Sequence, residues 1–288
     1  MSPAANPAAP AGFSRASAPA RNARAPARLA DPALTLAVRS WCVVAIAGQG
    51  MFAAYVVLFF GRAAVAGRPE LWNKALIQGY VPGDTLGNLI LALHLLFTVV
   101  VIVGGAIQLT PQVRRLAPAV HRWNGRLYLG SALVMGTGGL IMFWTRKTVG
   151  DAPQHAAITL NALLIVVFAV LAWRHALARR FDQHRRWALR LFLAVSGVWF
   201  FRIGLMAWVV LNRGPVGFDP KTFVGPFLTF LAFAQYLLPL AVLEIYFRVR
   251  DHAGPHGRLA MAAGLFALTL MTALGIGAAS MIMWLPKM

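Results

Sequence analysis

The chain has 288 residues, of which 59% are hydrophobic and 12% are charged, and its mean hydropathy is +0.66. Soluble domains carry about 25% charged residues, so this composition excludes an ordinary soluble enzyme and indicates a protein that crosses the membrane several times. The 27 Lys and Arg against 8 Asp and Glu give a formal net charge of +19. These basic residues lie in short loops between apolar runs, which predicts contact with the lipid bilayer and no nucleic-acid binding.

Residues 1–35 form a stretch rich in Ala, Pro and Arg. Such a composition buries too little apolar surface to offset the entropy of ordering the chain, so it predicts a disordered cytoplasmic tail. The apolar run that follows is long enough to span a bilayer and has no small-residue cleavage site, which argues against a secretory signal peptide. The remaining residues, 36–288, are predicted to form one transmembrane domain.

The transmembrane domain contains seven apolar segments of about the 20 residues that a helix needs to cross a bilayer. Because lipid cannot satisfy an open strand edge, each segment must be helical, and the predicted fold is an all-α integral membrane bundle of about seven helices. The predicted spans are Trp41–Phe60, Leu86–Leu109, Leu127–Trp144, His155–Trp173, Trp187–Leu211, Phe223–Tyr246 and Leu259–Leu285.

The distribution of Lys and Arg predicts the orientation of these spans. The tail and the alternate loops on its side hold 18 of the 27 basic residues, and the opposite loops hold 8. Positive charge accumulates on the cytoplasmic side, which places the N-terminus in the cytoplasm and the C-terminus outside. We therefore expect a multi-pass protein of the bacterial inner membrane.

A first group of polar residues lies near the middle of the predicted spans, displaced slightly outward. Its strongest member is Arg202, because a charged side chain in lipid is costly and must face the bundle and find a partner. No carboxylate lies at its level, so carbonyls and amides, or an anionic ligand such as a haem propionate, a lipid phosphate or an acidic substrate, must solvate it. The same depth also holds His94, Asn161, Gln235, Gln49 and Tyr236.

A second group lies at the cytoplasmic ends of the spans, where His121 and His184 each begin a helix. If those helices are neighbours, the two imidazoles can ligate a haem iron from opposite sides. A divalent metal would instead need a third ligand, for which Glu244 or His175 is a candidate. The alternative is that each His-Arg pair caps its helix and contacts lipid phosphates. Arg126 belongs to the same basic region, and Glu244 is expected to pair with a neighbouring arginine.

Several of these residues occur in motifs that carry a resemblance. They include Gly105 to Gln108 (GAIQ), residues 121–128 (HRWNGRLY), residues 184–187 (HRRW), Arg202 and Glu244. From about Leu86 to Tyr246 the chain resembles an uncharacterised bacterial multi-pass family, domain-of-unknown-function family 2306, which implies an architecture and no activity.

Histidines on consecutive spans are more distantly similar to two-haem transmembrane cytochrome b proteins. That similarity implies an outer haem between His94 and His155 and an inner one at His121 and His184. The sequence departs from the pattern because His155 lies about 15 Å farther out than His94 by the helical rise.

Three candidate functions arise from these residues. The first is transmembrane electron transfer by haem b, with His121 and His184 as axial ligands and a quinone or other redox partner. The second is a transporter, or a lipid-binding or small-anion-binding protein, with its ligand at Arg202 and His94. The third is a membrane assembly or scaffold protein whose polar residues only set helix register. The sequence contains no plausible Ser/His/Asp set and no paired carboxylates.

Overall fold

The computed structural model describes residues 21–76, 78–145 and 150–288, and for residues 21–27 and 142–143 it describes the backbone alone. The described chain is all-α, as predicted. Its ten α-helices are α1 (Arg21–Tyr55), α2 (Arg62–Val65), α3 (Thr85–Leu109), α4 (Pro111–Leu116), α5 (Pro118–Thr145), α6 (Ala152–Leu177), α7 (Phe181–Val195), α8 (Gly197–Leu211), α9 (Pro226–His252) and α10 (Pro255–Ala279).

Two of the long helices continue through π-helical turns at the end predicted to be outside. Residues Val56–Gly61 join α1 to α2, and Ser280–Trp284 extend α10. A short 3-10 helix, Pro69–Lys74, lies in the loop between α2 and α3. We call the end of the bundle that contains these turns the outer end, and the opposite end the inner end.

Five of the described helical segments are long and apolar enough to cross a membrane, and a sixth is the bent pair α7 and α8 taken together. Of the seven predicted spans, Leu127–Trp144 is the one that is not among these segments. That segment lies in α5, whose residues 142–143 have no described side chains, so a seventh span stays a prediction, as does the orientation.

The predicted fifth span, Trp187–Leu211, is one continuous segment in the sequence but is bent in the fold. α7 and α8 meet at an angle of 49° around Ser196. Ser and Gly neighbours are a common cause of sharp helix kinks, and here Ser196 precedes Gly197. The bend turns the outer half of the span away from the direction of its inner half.

The bent pair joins two groups of helices. In one group α3, α5, α6 and α7 pack in succession, with a core that includes Tyr128, Phe168 and Leu191. In the other, α1 packs along α10, and α8 packs on α10 and α9. The core of the second group is aromatic at the outer end, where it includes Phe52 and Trp199.

α1 begins at Arg21, inside the stretch predicted as a tail, and residues 1–20 of that stretch lie outside the described residues. The inner half of α1 has a packing partner, since Leu34 and Ala37 are buried against Ala262 and Leu265 of α10. Apolar burial against a second helix offsets the entropic cost of ordering this part of the chain.

The close approach of α10 to α8 supplies a test of the packing. A Cβ atom built on Gly275 would lie 2.9 Å from the backbone oxygen of Ile203, whereas one built on Gly277 meets nothing within 4 Å. We expect Gly275→Ala to lower the free energy of unfolding by roughly 1–3 kcal/mol through overpacking. Gly277→Ala, two residues along the same helix, should leave it unchanged or raise it by up to about 1 kcal/mol.

The measurement is the midpoint of thermal unfolding of the detergent-purified variants. Equal midpoints for the two alanine variants would contradict the close helix contact.

Candidate functional site

Four polar residues lie at one depth in four different helices. His94, Asn161, Arg202 and Gln235 are each nine residues from the outer end of their helix (85 to 94, 152 to 161, 202 to 211 and 226 to 235). Nine residues correspond to about 14 Å along a helix axis. The side chains nevertheless separate into two clusters.

The first cluster forms around Arg202 and faces α1. The guanidinium carbon lies 5.0 Å from the centre of the Phe52 ring, and Nη1 donates to the backbone oxygen of Val198 at 3.3 Å. His94 and Tyr55 both lie within electrostatic range of the Arg202 charge. None of the ion pairs among the described residues includes Arg202, and the contacts described for its guanidinium are with the Phe52 ring and the Val198 carbonyl.

Buried hydrogen-bonding nitrogens surround this cluster and have no partners. The indole Nε1 atoms of Trp199 and Trp284 are buried without a hydrogen-bond partner, and so is Nδ1 of His94. The Trp284 ring lies 5.5 Å from that of Phe52, which links it to Arg202. An indole nitrogen can only donate. The two indoles and the guanidinium can therefore only donate, whereas the buried, unpaired Oγ of Ser280 in the same turn as Trp284 can donate and accept.

His94 packs closely against α5. A Cβ atom built on Gly139 of α5 would lie 3.7 Å from Cε1 of His94, so α5 presents no side chain there. His94 contacts α5 and Arg202 contacts α1, and both residues are partly buried. A packed, aromatic, donor-rich region of this kind suits a guest with acceptor oxygens.

The second cluster surrounds the bend between α7 and α8. Gln49 donates to Oγ of Ser196 at 2.9 Å. A Cβ atom on Gly197 would lie 3.0 Å from Nδ2 of Asn161 and 3.6 Å from Oε1 of Gln235. The oxygens of both carboxamides are buried without a donor. Asn161 and Gln235 thus line the bend and do not contact Arg202 in any described interaction.

The inner residues His121 and His184 occupy matching places, each the fourth residue of its helix. Nδ1 of His184 donates to the backbone oxygen of Ala172 at 2.9 Å, since a carbonyl can only accept. This bond leaves the Nε2 lone pair of His184 available. Nδ1 of His121 is buried without a partner.

His121 lies six residues before the predicted span of α5, in a half-buried position. Burial lowers its pKa below the usual value, and electrostatic interactions with Arg114 and His184 lower the pKa further. The two imidazoles therefore lie within electrostatic range of each other, on the same side of the bundle.

The remaining predicted residues, Glu244 and Arg126, have other partners. Glu244 accepts from Nε and Nη2 of Arg190 at 2.7 and 3.0 Å, which confirms the expected pairing with an arginine. Arg126 is exposed and stacks on Trp123 at 4.8 Å. Among the described residues no three His, Cys, Asp or Glu side chains form a metal-ligand group. The described residues therefore supply no third ligand for a divalent metal at His121 and His184.

The sequence prediction overlooked the aromatic members of the outer cluster. Phe52, Trp199 and Trp284 are three of many aromatic residues in apolar segments, and nothing in their spacing marks them out. The Ser196–Gly197 pair was a usable signal, because such a pair in the middle of a long span is typical of a kink.

The comparison with known proteins identifies a family and no relative of known activity. Residues 91–238, just over half of the chain, match the family described as predicted membrane protein (DUF2306). No curated protein and no solved structure matches the chain, and nothing found supports the similarity to cytochrome b proteins. The matched region contains Arg202, the bend, and the histidine pairs His94/His155 and His121/His184. The chain is a polytopic membrane protein that belongs to the DUF2306 family.

Proposed function

We propose that this protein, in the bacterial inner membrane, binds a membrane-soluble ligand whose acceptor oxygens meet Arg202 and His94. The observation that carries the proposal is a guanidinium without a carboxylate, near two buried indoles that have no hydrogen-bond partner. A cation at membrane depth without a counter-charge is expensive, and an unpaired buried donor costs roughly 1–3 kcal/mol. A ligand that supplies a carboxylate, a phosphate or a quinone-type carbonyl would remove both costs.

The surroundings of Arg202 favour an apolar body on that ligand. Phe52, Tyr55 and Trp199 belong to one buried aromatic cluster that includes Trp284. Rings of this kind stack on flat or chain-like apolar groups, while the few polar atoms orient the ligand head.

The adjacent bend would couple such a ligand to movement. Arg202 lies five residues beyond Gly197, which is about 7.5 Å along α8, so a change in the 49° angle displaces the guanidinium. A transporter that changes the angle between half-helices would use a break of this type beside its binding site.

Replacing Arg202 tests the proposal directly. We expect Arg202→Gln, purified in mild detergent from its native membrane, to lose an acidic or carbonyl-bearing compound that mass spectrometry detects in extracts of the wild type. Removing a charge-assisted contact in a desolvated site weakens binding by roughly 10-fold or more. Arg213→Gln, an exposed arginine at the outer end of the same span, should retain the compound.

The thermal midpoint of each variant separates loss of ligand from loss of fold, and Arg202→Lys gives a second variant that keeps the charge. The proposal would be overturned if the extracts of wild type, Arg202→Gln and Arg202→Lys contained the same compounds in the same amounts.

A second candidate function, electron transfer through haem b with a quinone or other redox partner, rests on His121 and His184. The observation in its favour is the hydrogen bond from Nδ1 of His184 to Ala172. Histidines that ligate a metal usually donate their other ring nitrogen to a carbonyl in this way. The matched positions of the two residues in α5 and α7 add to it.

An absorption spectrum tests the haem candidate. Protein purified from cells supplied with haem should show a Soret band that His121→Ala and His184→Ala each abolish, because a bis-histidine haem needs both axial ligands. His256→Ala, an exposed histidine at the start of α10, should leave the band intact. A colourless wild-type preparation, or a band unchanged in both ligand variants, would rule this function out.

A further inference from the structure

An open surface groove of about 320 Å³ lies at the inner end of α6, the helix whose Ala172 carbonyl accepts from His184. Its lining consists of Leu171, Arg174, His175, Ala178 and Arg180. Three of these five residues carry basic side chains and none carries an acid. The groove is therefore an open cationic recess.

The arginines of this recess have no acidic partners among the described ion pairs. Elsewhere at the inner end, Arg186 pairs with Asp251, Arg190 with Glu244 and Arg258 with Asp31. Those pairs use three of the chain's eight acids to tie helices together. Arg174 and Arg180 take part in none of the described pairs.

The backbone at the end of α6 brings the two arginines to the same recess. Arg179 has a positive φ of 56°, a conformation that a residue other than glycine adopts at a cost. The turn lets the N–H of Arg180 donate to the carbonyl of His175 at 2.9 Å and that of Arg179 donate to Ala176 at 3.1 Å. These bonds satisfy the last carbonyls of the helix, which reduces the negative charge that they would present to an anion.

Exposed apolar residues on the same helix end place the recess at the lipid surface. Trp173 is 40% exposed and Leu177 is 71% exposed. Tryptophan concentrates at the boundary between lipid tails and headgroups, and arginines beside it reach the phosphate level.

We propose that Arg174, His175 and Arg180 bind the phosphate group of an anionic ligand at this recess. Planar guanidinium groups match phosphate oxygens in paired hydrogen bonds, and two of them line this groove. The ligand is either the headgroup of an anionic phospholipid or a free phosphate. The site is independent of the Arg202 ligand.

Native mass spectrometry of the full chain in detergent tests the site. The probes are short-chain phosphatidylglycerol, the matching phosphatidylcholine, and inorganic phosphate. We expect phosphatidylglycerol to bind with one tight site, and the double variant Arg174→Gln/Arg180→Gln to weaken that site by roughly 30-fold, the effect of two arginines next to an anionic headgroup.

The matched control is Arg248→Gln/Arg250→Gln, which removes the same charge from the inner end of α9 and should change the affinity of the tight site by less than about threefold. Arg174→Lys/Arg180→Lys keeps the charge and should bind with intermediate affinity, because an ammonium lacks the paired geometry. Thermal midpoints show that each variant is folded.

Competition separates the two sources of phosphate. If inorganic phosphate displaces the lipid and also binds in the absence of lipid, the site recognises a free anion. Retention of the lipid against inorganic phosphate assigns it to a headgroup with its acyl chains. Equal weakening in the recess and control variants, or equal binding of phosphatidylcholine, would overturn the proposal.

Discussion

The guanidinium of Arg202 is the most demanding group in the bundle, because a charge at this depth must be solvated by the protein or by a guest. The described residues offer it the face of Phe52 and the carbonyl of Val198. A cation–π contact is worth roughly 0.5–2 kcal/mol, which is less than the cost of an isolated charge in lipid. The nearby indoles of Trp199 and Trp284 can only donate, so they add to the demand for acceptor atoms.

The bend at Ser196 determines where that charge lies. A straight helix from Phe181 to Leu211 would continue along the axis of α7, which packs on α6. The 49° turn instead directs α8 toward α10 and α9, where Gly275 allows the backbones to approach. The carboxamides of Asn161 and Gln235 face the break and keep buried oxygens without donors. One polar break thus joins two helix groups and positions Arg202 in the second.

The inner end uses its charges in two ways. Three arginines hold helices together through the few acids present, including the paired contact of Arg190 with Glu244. Most of the other arginines take part in none of the ion pairs among the described residues, since the chain carries 27 basic and 8 acidic residues. Partly buried ion pairs of this kind specify which helices meet more than they add stability. Anionic lipid headgroups at a membrane surface attract basic residues of this kind.

The sequence by itself determined that the chain is an all-α membrane protein, where most spans lie, and how deep His94 and Arg202 sit, because hydropathy and the helical rise act along a single helix. It also predicted that Glu244 pairs with an arginine. Only the tertiary structure decided that Arg202 meets Phe52, while Asn161 and Gln235 turn to the bend, and that Trp199 and Trp284 keep unpaired donors nearby. Depth is a property of one helix, whereas direction depends on rotation and packing against neighbours, which the pattern of residues along one chain does not encode.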